Sequence, residues 1–156
     1  MFIIQKPQFC PHCIKYEAGD QSSKIVAHHE LIPFQRGKYL EEKKEIAEGD
    51  ENTILITQDF TQLELESGFV QDLIICCYWY DEESKDGLGR KYCHFVGKKG
   101  DSNGVNFVAG CWKRLLIEEN WFRSSKKVLI WSDGGPKHFK VSANLQIFQA
   151  IQQKYP

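Results

Sequence analysis

Two acidic residues stand at equivalent places in this 156-residue chain. Asp59 ends the apolar run that begins at Thr53, and Asp133 ends the run that begins at Lys127. Neighbouring strands lie about 4.8 Å apart. If those two runs are adjacent parallel strands, their carboxylates could share a Mg²⁺ or Mn²⁺, with Mg–oxygen distances of about 2.0–2.1 Å. A pair of such ions about 3.5–4 Å apart clamps the attacking and leaving oxygens of a phosphoryl transfer. Each acid also has a plain structural reading. Ser132-Asp133-Gly134-Gly135-Pro136 reads as a strand-end turn or helix cap, and Asp59 ahead of Phe60-Thr61-Gln62-Leu63 reads as a strand-end residue.

A second group is built for a softer metal. Cys10-Pro11-His12-Cys13 sets two thiols at zinc-knuckle spacing, and His28 or His29 supplies a third ligand. A structural zinc site takes four, so the last is the second histidine or a residue upstream of Met1. Reduced surface cysteines are the alternative. Lys137, His138 and Lys140 follow Asp133 at a helix start, where they could contact DNA phosphates or simply be solvated. Cys93-His94 lies within a strand pattern, its side chains facing two directions, and reads as structure.

These residues need a frame. A helical pattern runs from Gln35 to Asp50. Three strands follow, at Thr53 to Phe60, Gln71 to Tyr80 and Lys91 to Val96, with the hairpin signals Asp86-Gly87 and Gly89 between the last two. Val108, Cys111, Trp112 and Leu115 stand at i, i+3, i+4 and i+7, which predicts an amphipathic helix over about 105–119. Lys127 to Asp133 is a short apolar strand, and Val141, Leu145 and Phe148 start another helix. A strand–helix–strand crossover calls for a parallel partner in the same sheet. The expected fold is α/β: an antiparallel three-stranded meander, a helix, a parallel strand and a helix over 51–156. Residues 1–50 form a separate Cys/His segment and helix.

Composition sets the outer bounds. Apolar residues are 42%, aromatic 13% and charged 26%, an ordinary globular balance with enough aromatic mass for a core. The apolar run Leu73 to Trp79 is far too short to span a bilayer, and the first residues lack a signal-peptide pattern. No membrane partner and no small-molecule cofactor is expected. Net charge is −1, so any DNA contact must rest on local basic residues or on another component. Six cysteines, with Cys76 and Cys77 adjacent in an apolar run and Cys111 on a helical stripe, read as buried free thiols of a reducing compartment. Nucleus or cytoplasm is the expected location.

Strand order and the two acids together resemble the ribonuclease H-like core. More closely, Thr57-Gln58-Asp59-Phe60-Thr61-Gln62-Leu63 and Ile130-Trp131-Ser132-Asp133-Gly134-Gly135-Pro136-Lys137-His138-Phe139-Lys140 resemble transposon-derived proteins with a DDE-type integrase core. In those proteins the second block reads Ser-Asp-Gly followed by Phe-Lys. A Cys-x-x-Cys, a histidine pair and a helix like that of Arg36 and Tyr39 also precede their core. The resemblance implies that Asp59 and Asp133 are the first two metal carboxylates of a Mg²⁺-dependent DNA-cleaving and strand-joining enzyme. It also implies a fifth strand and a third acid that the chain, ending at Pro156, does not carry. The resulting expectation is a truncated copy that binds Mg²⁺ or Mn²⁺ weakly and does not cut DNA. Its unpaired sheet edge beside the first or fourth strand invites self-association. The alternatives are a ribonuclease H-like nuclease and a catalytically dead, zinc-containing interaction module.

Overall fold

The computed structural model describes residues 11–66, 68–97, 105–116, 127–132, 146–150 and 153. It forms two compact units, Met1–Glu42 and Lys43–Pro156.

In the first unit, α1 (Pro11–Glu17) precedes α2 (Ser23–Ala47), which continues past Glu42 into the second unit. The helical pattern expected from Gln35 thus begins twelve residues earlier, at Ser23. Proline in a helix interior removes one hydrogen bond, and α2 continues across Pro33 regardless. The exposed ion pairs Lys38–Glu41 and Lys44–Glu48 line it, each worth little in water.

The second unit is mixed α/β. Its strands are β1 (Thr53–Leu65), β2 (Gly68–Tyr80), β3 (Leu88–Val96) and β4 (Lys127–Ser132), with α3 (Val105–Arg114) between the last two. The order across the sheet is β3-β2-β1-β4. β1–β2 and β2–β3 are antiparallel, and β1–β4 is parallel, as the crossover requires. β1 and β2 run past their expected ends to the pair Leu65↔Gly68, and β3 starts at Leu88 rather than Lys91. β1 is flanked on both sides, so it is not an open edge. The edge strands of the described sheet are β3 and β4.

Strand side chains alternate between faces. Ile54, Ile56, Leu73, Ile75 and Cys77 meet Val108, Cys111, Trp112 and Leu115 of the α3 segment in one buried cluster. That is the stripe the helical spacing predicts. Phe148, in the helical residues 146–150, sets its ring edge-on to Trp112 at 5.2 Å. The expected start of that last helix at Val141 lies outside the described residues. The opposite face buries Leu55, Cys76 and Tyr78, and the last turn of α2 lies against it. Lys43 Nζ sits 4.1 Å over the Tyr78 ring, and Ile46 is fully buried. With both faces covered there, Cys76 and Cys77 are both buried, as their apolar run suggests. No described helix is long and apolar enough to cross a membrane.

Candidate functional site

The parallel ladder of β1 and β4 runs from Thr53↔Lys127 to Gln58↔Ser132. Asp59 is the next residue on β1. It is exposed, and alternation turns it to the face away from α3, since Ile56, Gln58 and Phe60 all contact the α3 side. The backbone under it is anchored. Gln58 is 3% exposed, and its Oε1 accepts a 2.9 Å hydrogen bond from Trp112 Nε1. On the other flank Phe60 lies 6.2 Å from the Phe107 ring. A buried amide left unpaired is costly, so this bond ties the helix to the strand directly beside Asp59.

Asp133, Lys137, His138 and Lys140 lie outside the described residues, as does Cys10. Cys13 is in α1, one helical turn before Tyr16. His28 and His29 are half-buried in α2, where consecutive residues point about 100° apart. One zinc ion can therefore draw on one of them easily but not on both. His29 stacks flat on Tyr16, the ring centroids 3.8 Å apart. This contact brings α1 and the histidine-bearing turn of α2 together. Among the described residues no three His, Cys, Asp or Glu side chains form a group that could hold a metal ion.

A further pair shares the Asp59 face. Asp59 pairs with Ile74 on β2, and Ile74 pairs with His94 on β3, giving one cross-strand row. Diagonally beside it, Asp72 is 1% exposed, and its Oδ2 lies 2.8 Å from His94 Nδ1. Cys93 packs on the core cluster while His94 turns the other way, as the alternation predicts. In the sequence Cys93-His94 reads as structure, and nothing there connects His94 with Asp72. One signal was present: an aspartate inside the apolar run of β2 must be paired if it is buried.

The buried thiols of Cys77 and Cys111 are chemically quiet. Burial pushes Cys77 up to about 12 and Cys111 up to about 11, so both are protonated at neutral pH. Against protein families, curated proteins and solved structures alike, the chain finds no match.

Proposed function

We propose that the second unit is a ribonuclease H-like core of the DDE type, a kind of core whose parent activity is Mg²⁺-dependent phosphoryl transfer on DNA. The observation that carries this reading is the parallel β1–β4 ladder, whose last described pair, Gln58↔Ser132, is followed in the sequence by Asp59 and Asp133. The order β3-β2-β1-β4, with three antiparallel strands and one parallel, supports it. Carboxylate oxygens are the donors that Mg²⁺ takes, so Asp59 and Asp133 fit as its ligands. A bound Mg²⁺ would supply charge for the developing phosphoryl transition state. The chain's own part is to hold Asp59 exposed on a strand that Trp112 and Gln58 fix from behind, and to admit a DNA strand to that face.

DNA binding tests this reading. A short duplex should bind more tightly with Mn²⁺ than without it, and Asp59→Asn should abolish the increment while leaving the metal-free affinity alone. An increment that survives Asp59→Asn would refute the assignment.

The Tyr16–His29 stack, which brings α1 beside the histidine-bearing turn of α2, favours a second role for the first unit, a structural zinc site whose ligands include Cys10, Cys13 and one of His28 and His29. Purified protein should carry about one zinc per chain, and Cys10→Ser should lose it. Zinc-free folded protein would remove this role and leave the core reading untouched.

A further inference from the structure

Asp72 stands inside the apolar run of β2 and is 1% exposed, a place where an ionisable group needs partners for both oxygens. Oδ2 has His94 Nδ1 at 2.8 Å, whereas no donor among the described residues reaches the buried Oδ1. The register shows how the carboxyl group is set. Asp72 is opposite Val96 on β3, whereas His94 is opposite Ile74. To meet His94, the carboxyl group leans from its own row, Thr61–Asp72–Val96, toward the row Asp59–Ile74–His94. Asp59 belongs to that second row and lies on the same face.

The two diagonals have the same sense. Asp72 and His94 each precede the other's cross-strand partner by two residues, and so do Asp59 and Asp72. A sheet twists with one hand, so the same sense of diagonal is the short one across each antiparallel pair. Between β2 and β3 that diagonal closes to a hydrogen bond. Between β1 and β2 it sets two carboxylates side by side, with Cα atoms about 7–8 Å apart and Cβ atoms closer. Like charges at that spacing repel, and a cation between them removes the repulsion. It also gives Oδ1 the partner it needs.

We propose that Asp72 binds the same divalent cation as Asp59, with Oδ1 turned toward β1 as the ligand and Oδ2 held by His94. The inference rests on the reading of Asp59 as a metal ligand. Two carboxylates with water suit Mg²⁺ or Mn²⁺, and Asp133, which follows Ser132 in the sequence, adds a third acid. With Asp72 ionised, His94 Nδ1–H is the donor to Oδ2. Metal-binding carboxylates are commonly oriented by such a hydrogen bond.

The full chain, labelled with ¹³C at aspartate Cγ, provides the first test without any substitution. Titration with Mg²⁺ alone at fixed pH should shift the Asp59 and Asp72 signals along one binding curve. A shift of Asp59 with Asp72 unmoved would overturn this inference and leave the Asp59 reading in place. If neither signal moves, both fall. Mn²⁺ affinity provides the second test. Asp72→Asn keeps an oxygen for His94 but removes the charge. It should weaken Mn²⁺ binding at least about tenfold, the loss that removing even an indirect partner of a metal ligand brings. Unchanged affinity in folded Asp72→Asn would overturn the proposal. If that variant fails to fold, the Cγ titration of the unaltered chain decides.

Discussion

Gln58 uses its side-chain carbonyl on Trp112, and that single bond couples the core helix to the residue next to the candidate carboxylate. Trp112→Phe keeps most of the ring's packing but removes its donor. The substitution strands a buried acceptor, and about 1–3 kcal/mol of stability should be lost. Urea unfolding measures this, and Gln58→Leu in the Trp112→Phe background should recover part of it, because an apolar pair of similar shape leaves nothing unpaired. An unchanged midpoint for Trp112→Phe would mean that the bond does not anchor β1. Asp72 follows the opposite logic: it sits beneath His94 with one oxygen unpaired among the described residues, an arrangement that stability alone does not favour.

The hairpin joining β2 to β3 depends on two glycines. Gly89 stands opposite Trp79, and a Cβ there would collide with the indole ring. Gly87 has a φ of 70°, and a Cβ on it would collide with the backbone of Ala47 at the end of α2. Gly89→Ala should therefore destabilise the fold by up to about 1 kcal/mol, since the exposed Trp79 ring must shift from its place. Trp79→Ala should relieve most of that penalty in the double variant, and a thermal-melt cycle of the four proteins measures the coupling. Full additivity would rule out the contact.

At this scale much of the fold is legible in the sequence. The stripe Val108, Cys111, Trp112 and Leu115 identifies the packed face of α3, and the crossover rule calls for a parallel partner to β4, which in the structure is β1. Strand ends are not legible. β1 and β2 continue through Leu65 and Gly68 because antiparallel pairing extends them past their apolar runs, across the short alternation Leu63-Glu64-Leu65, which is too brief to mark a strand by itself. The early start of α2 is hidden for a related reason. Helical hydrogen bonding does not require an apolar stripe, and residues 23–34 carry little of one. Of the site residues, Asp59 lies inside β1 rather than at the strand end that its apolar run suggests, because the strand continues to Leu65, whereas the Asp72–His94 pair needs the cross-strand register before it can be recognised.

For the whole molecule, the buried thiols set the response to alkali. Desolvation raises Cys77 from 9.0 to about 12 and Cys111 from 9.0 to about 11 in the folded state. Above pH 9 the unfolded chain loses these protons and the folded chain keeps them, so the unfolded state binds fewer. Stability is fully present below about pH 9 and falls as pH rises through 11 and 12, by up to roughly 1.4 kcal/mol per pH unit for each thiol. Urea titrations at pH 8, 9.5 and 10.5 should show this decline, and Cys77→Ala should make it shallower. A slope that is the same in Cys77→Ala would show that other groups set it.

The most direct measurement concerns the acid on β1. Mn²⁺ broadens amide signals near its binding site, and a ¹H–¹⁵N correlation spectrum of the full chain can locate that effect. Broadening should centre on Gln58, Asp59, Phe60 and Ser132, be displaced by excess Mg²⁺ and be lost in both Asp59→Asn and Asp133→Asn. Broadening centred elsewhere, or unaltered by Asp59→Asn, would contradict the claim that the parallel pair β1–β4 carries a divalent-metal site.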